Sequence, residues 1–134
     1  MTTYSEVSAL IARIAWHHDH RGGRDLGDFF AEDGVYHPPG YQPIAGKAAI
    51  TEFFATRDLG DRLARHAITN IVILRETARE AEVASLMTVY SGNGPGPHSA
   101  MPTAVLDCRD SLQHGSRGWL IKQRSMEVVF RTPK

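Results

Sequence analysis

The chain's capacity for chemistry is concentrated in its histidines. There are seven among 134 residues, and imidazole is the side chain whose ordinary pKa, about 6.5, lets it give and take protons near neutrality. His17, His18 and His20 flank Asp19, His37 and His66 follow, and His98 and His114 stand in turn-rich stretches. The run His17-His18-Asp19-His20 invites a metal reading. Ligands on one helix, however, must lie three or four residues apart to share a face. Only His17 and His20 do so, and no His-Glu-x-x-His pattern occurs. No metal or other cofactor is expected.

Asp19 and His66 are the more informative pair. Asp19 sits one turn after Ala15, at the edge of an apolar stripe, where an unpaired carboxylate would be costly. His66 lies in the run Arg65-His66-Ala67-Ile68-Thr69-Asn70, where alternation puts it on the face of Ile68, Val72 and Leu74. A carboxylate on one imidazole nitrogen fixes the tautomer and raises the basicity of the other, as in a catalytic triad. The residues leave a second arrangement open, a buried histidine satisfied by a backbone carbonyl.

The elements that must position these groups can be read from periodicity. Val7, Leu10, Ile11, Ile14 and Ala15 recur at helical spacing. Thr3 and Glu6 have the spacing of a capping box, and Gly22-Gly23 suit the helix end. A short helix is expected in 25–30, a short strand in Val35-Tyr36-His37 and a further helix over Lys47–Thr56. Four β-rich runs follow at 67–74, 81–90, 103–112 and 119–130, close enough in sequence to form an antiparallel meander. Ser91–Pro102 holds three glycines and three prolines, so it reads as a loop and a candidate pocket rim. Helices first and strands after predict an α+β fold, with a curved antiparallel sheet and N-terminal helices packed on it around a pocket. The third-quarter strands are apolar on both faces. We therefore expect the helices to cover one face and a second subunit, in a dimer or trimer, to cover the other.

Composition bounds the function. The length suits a single domain over residues 1–134. Fifteen basic and fifteen acidic residues give no net charge, so no long-range field draws the chain to nucleic acid or an anionic membrane. One cysteine, Cys108, rules out an internal disulfide. Met1–Glu6 lacks the basic start of a secretion signal, and no apolar run approaches membrane-spanning length. A cytoplasmic setting is expected.

Several stretches in order along nearly the whole chain resemble the SnoaL-like family of the nuclear-transport-factor-2-like superfamily. They are Asp19 eleven positions before Phe30, Phe30-Ala31-Glu32-Asp33-Gly34-Val35, Gly46-Lys47-Ala48-Ala49-Ile50, Arg65-His66-Ala67-Ile68-Thr69-Asn70, and Gly118-Trp119-Leu120-Ile121 with Arg124. The resemblance implies a cone-shaped α+β fold. It also implies an acid–base dyad at Asp19 and His66, because relatives such as scytalone dehydratase and hexachlorocyclohexane dehydrochlorinase use those matching positions. Tyr36 matches an aromatic pocket residue and Arg124 an assisting arginine, although in a regular strand Arg124 would face opposite to Trp119. Asp107 stands where a relative carries a third-strand histidine, while Gly22 and Ile14 replace a second aspartate and a lysine of the family.

Two functions are consistent with these residues. One is a cofactor-free lyase or isomerase on a small, largely apolar cyclic molecule, with His66 as base, Asp19 as its partner and Tyr36, Asp107, Arg124 and His98 as binding groups. The other is a non-catalytic ligand-binding or scaffold domain of the same fold, such as a dioxygenase small-subunit-like protein.

Overall fold

The computed structural model describes residues 2–133. Helix α1 spans Thr3–Arg21 and buries Val7, Leu10, Ile11, Ile14 and Ala15, the expected stripe. Its cap is Thr2, not Thr3: the Thr2 side chain accepts the Ser5 N–H at 3.1 Å. The helix ends at Gly22, in the left-handed conformation at φ 65° that glycine adopts without strain. A single 3₁₀ turn, Leu26–Phe29, replaces the short helix expected there. Strands β1 (Phe30–His37) and β2 (Ile44–Ala45) then lead into helix α2 (Lys47–Ala55). The four long strands are β3 (Arg62–Glu76), β4 (Glu80–Asn93), β5 (Ala104–Gly115) and β6 (Gly118–Arg131).

All six strands form one curved sheet in the order β2-β1-β6-β5-β4-β3. The meander from β3 to β6 is antiparallel as expected. The sheet as a whole is mixed, because β1 runs parallel to β6. That pairing is long-range, with α2 and three long strands intervening in sequence, so local alternation carries no sign of it.

Two irregularities decide what faces inward. In β3 the pairing shifts between Thr69 and Val72, around Asn70 at φ 54°. An extra residue reverses the alternation beyond it. Ile68, Ile71 and Ile73 therefore pack on the core, while Val72 and Leu74 are about half exposed. The expectation that these two share His66's face is corrected for that reason. In β6 the partner of Ser111 is Gln123 but that of Leu112 is Ile121, so Lys122 is the extra residue. Ile121 and Arg124 consequently both turn inward and are buried.

The core joins α1 and α2 to the concave face through Val7, Ile11, Ile14, Ile50, Val83 and Ile121. On the other face of the sheet Ala84 and Leu86 are half-buried, and Val72 and Leu74 are exposed. Among the described residues, no helix is long and apolar enough to cross a membrane.

Candidate active site

The last turn of α1 and the first half of β3 bring Asp19 and His66 into contact across 47 positions of sequence. Asp19 Oδ1 lies 2.5 Å from His66 Nδ1, and Asp19 Oδ2 accepts the His66 backbone N–H at 2.9 Å. Both side chains are largely withdrawn from solvent, 9% exposed for His66 and 7% for Asp19. Burial works against the Asp19 anion, but the hydrogen bonds from His66 outweigh it and hold the carboxyl below its ordinary range. A carboxylate can only accept, so His66 Nδ1 donates to Asp19, and in the neutral ring the lone pair is then on Nε2.

His66 lines a cavity with an inner and an outer compartment. The inner one, about 50 Å³, is bounded by His18, Tyr36, Phe54, His66, Met87 and Arg124 among others. The outer one, about 240 Å³, shares His18, Tyr36 and His66 and adds Pro38, Arg57 and Arg62. The outer compartment alone is near the lower end of the usual size of small-molecule sites, roughly 300 Å³.

At the inner end three strands place three polar side chains in one row. Tyr36 of β1 is the register partner of Arg124 in β6, and Arg124 that of Asp110 in β5. Arg124 Nε lies 3.0 Å from Asp110 Oδ1, with side-chain exposures of 6% and 1%. The pair is close but not aligned as a hydrogen bond, so Arg124 Nε and both Asp110 carboxylate oxygens lack hydrogen-bond partners. Burial pushes the Asp110 carboxyl up, against the pull of Arg124. Burial also disfavours the Arg124 cation, but Asp110 outweighs it and holds the guanidinium charged. The Tyr36 ring stacks on Phe54 at 5.5 Å. Burial raises its hydroxyl above the ordinary value, which keeps it a neutral donor. Cys108 is pushed up to about 11, mainly by burial, so it stays a thiol and offers no nucleophile at neutral pH.

His18 completes the surround of His66. Its ring meets the His66 ring edge-on at 4.3 Å. Its pKa falls to about 3, through burial first, then repulsion from the His66 ring when that is protonated and from the Arg57 charge. Folding therefore has a defined pH dependence. In the unfolded chain His18 takes a proton near 6.5, and in the folded chain only near 3. Between those values the unfolded state binds more protons. Stability should fall as pH drops from 6.5 toward 3, by at most about 1.4 kcal/mol per pH unit from this group. Urea midpoints measured against pH should show that part of the slope disappear in His18→Gln, and an unchanged slope would refute the assignment.

Not every expected residue reaches this site. Asp107 is exposed and points to the opposite face of the sheet, because the inward positions of β5 are Leu106, Cys108, Asp110 and Leu112. That parity was readable in the sequence, where Asp110 shares the apolar phase and Asp107 does not. His98 lies over Gly92 and bonds the Gly94 carbonyl at 2.9 Å, beside a separate groove that includes Arg65 and Tyr90. It shapes its own loop and does not line the His66 cavity. His17 bonds Asp25 at 2.9 Å and so ties the end of α1 to the following turn, while His20 rests against Trp16. Among the described residues, the one group with the proximity of a ligand set is His18, Asp19 and His66, with one ligand atom from each lying within 4.8 Å of the others. Helical spacing alone could not reveal it, since His66 comes from β3. Both Asp19 oxygens are already engaged by His66.

The profile of the SnoaL-like domain matches residues 1–125. A solved structure from Catenulispora acidiphila in complex with S-DNPA is similar at 26% identity, with a TM-score of 0.76 over 93% of this chain and 92% of that one. ActVI-ORFA from Streptomyces coelicolor is similar at 20% identity, with a TM-score of 0.77 over 94% of this chain and 96% of that one. An NTF2-like protein with a cystatin-like fold from Novosphingobium aromaticivorans has 20% identity and a TM-score of 0.76, over 94% of this chain and 81% of that one. No curated protein matches the chain significantly.

Proposed function

Since the chain belongs to the SnoaL-like domain family, we propose that it is a cofactor-free lyase or isomerase acting on a small, largely apolar cyclic molecule. The observation that carries this reading is the Asp19–His66 contact at the wall of a cavity that His66 lines, with His66 Nδ1 tied to the carboxylate. His66 Nε2 removes a proton from a carbon of the bound molecule, and Asp19 stabilises the imidazolium that forms. The electron pair released forms a double bond. Either a leaving group departs from the neighbouring carbon, or the proton returns at another carbon and the double bond has shifted. Arg124 and the neutral Tyr36 hydroxyl, together at the inner end, stabilise negative charge developing on a substrate oxygen. The complex of the Catenulispora acidiphila structure with S-DNPA supports a small molecule as occupant.

A test is possible before the natural substrate is identified. Small cyclic carbonyl compounds and alcohols are screened by saturation-transfer NMR, and each binder is followed in D₂O. At least one binder should exchange a carbon-bound proton, or lose water, faster with the protein than without it. Binding with neither exchange nor product for any compound would favour the ligand-binding domain.

We further propose that the protein works in the cytoplasm as a dimer or trimer, with a second copy over the sheet face that exposes Val72 and Leu74. Sedimentation equilibrium should return a mass above that of one chain; a monomer at micromolar concentration would overturn this.

A further inference from the structure

The outer compartment holds a cation that the proposed chemistry does not use. Arg57 follows α2 and is half-buried, with its guanidinium 5.1 Å from the centre of the Phe54 ring. Its Nη2 lies 3.4 Å from His18 Nε2, a long contact with a neutral acceptor. Its Nε is buried without any partner. Among the described residues no carboxylate lies within ion-pair distance of Arg57 or of Arg62. Asp58, next in sequence, is turned to the Gly60 N–H at 2.9 Å.

Burial disfavours the Arg57 cation, and Arg62, which is exposed and lines the same compartment, adds a weaker repulsion. Two like charges placed together, one desolvated and neither neutralised, are unfavourable in the empty protein. A cation–π contact offsets only part of that cost. What relieves it is an anion with several acceptor oxygens, for which the planar guanidinium fork is suited.

We infer that the molecule bound in the cavity carries a carboxylate, held by Arg57 and Arg62 in the outer compartment while its apolar ring extends inward past His66. The inference rests on the ligand cavity proposed above and narrows its substrate class to ring compounds with an acidic side chain. The charge balance of the site supports that choice. Asp19 and Asp110 are each matched by a partner within the protein, whereas the two outer arginines have none there.

The test compares two probes of nearly the same shape, 2-naphthaleneacetic acid and the neutral 2-naphthaleneethanol, by calorimetric titration. The wild-type protein should bind the acid at least about tenfold more tightly, as a charge-assisted bidentate contact warrants. Arg57→Met should lower that preference and the double variant Arg57→Met/Arg62→Met should reduce it to about one, with the neutral probe's affinity staying within about twofold. Arg57→Lys, which keeps the charge but not the fork, should retain part of it. Circular dichroism verifies that the variants fold. Equal binding of the two probes to wild type, or a full preference that survives the double variant Arg57→Met/Arg62→Met, overturns the carboxylate site and leaves the cavity reading standing. If neither probe binds wild type, the cavity reading falls and this inference with it.

Discussion

Replacing Asp19 by Asn should lower turnover about as far as replacing His66 by Ala. For His66→Ala the expected loss is that of a positioned general base, about 10²–10⁴-fold. The asparagine case follows from the two contacts Asp19 makes. Its oxygens accept both the His66 ring Nδ1–H and the His66 backbone N–H. A carboxamide has one acceptor oxygen and an NH₂ that only donates. One of the two His66 donors must then lose its acceptor. The backbone N–H cannot change character, but the ring can, by moving its proton to Nε2 and accepting the amide at Nδ1. That tautomer presents a proton to the cavity where the reaction needs a lone pair. A loss near 10⁴-fold, the size of the effect of the equivalent change in the serine-protease triad, is the expected scale. Rates should be measured on whichever compound exchanges or reacts in the D₂O assay, with circular dichroism confirming the fold. Activity within a few-fold of wild type in Asp19→Asn would mean that the pair is a structural contact and that the base lies elsewhere.

The second large effect concerns stability. Arg124→Met should destabilise the protein by about 3–5 kcal/mol, because it leaves Asp110 buried without compensation. Asp110→Leu should cost a similar amount by stranding the guanidinium. For a chain of this size such losses correspond to a fall in melting temperature on the order of 10–20 °C. The double variant Asp110→Leu/Arg124→Met removes both charges and should recover most of the loss, since a buried ion pair is worth little more than apolar side chains of similar volume. The cycle also separates two roles of Arg124. If it contacts the ligand, the double variant will be stable and still poor at turnover. If stability and activity return together, Arg124 serves only to neutralise Asp110. Additive losses in the double variant would show that the two residues do not act as a pair.

The two variants probe different parts of one design. Asp19 and His66 are held by the end of a helix and the start of a strand, at the boundary between the compartments. Arg124 and Asp110 are held by neighbouring strands at the inner end. The inner row is costly to bury, and its Arg124 Nε is not satisfied by the protein. Functional sites commonly accept such a cost to preorganise charge where it will develop.

Much of this was legible in the amino-acid order. The stripe from Val7 to Ala15, extended by His18, marked the buried face of α1, and alternation marked the strands of the meander. Helical and strand periods are local properties, so they survive in the sequence. The same logic put Asp19 at the edge of the core, and the order of motifs pointed to His66 as its partner. What the sequence could not supply was parity after an irregularity and pairing between distant segments. One extra residue at Lys122 turned Arg124 inward, and another near Asn70 turned Val72 and Leu74 outward. The parallel β1–β6 pairing, which sets Tyr36 beside Arg124 and Asp110, depends on the fold having closed around it. Arg57 gave no signal, since an arginine in a polar turn reads as a solvated charge until a cavity is seen beside it. Periodicity thus determined which residues are inside, through the geometry of single helices and strands. Tertiary structure alone decided which of them meet, because the contact energies that choose bulges, registers and distant partners are properties of the packed chain.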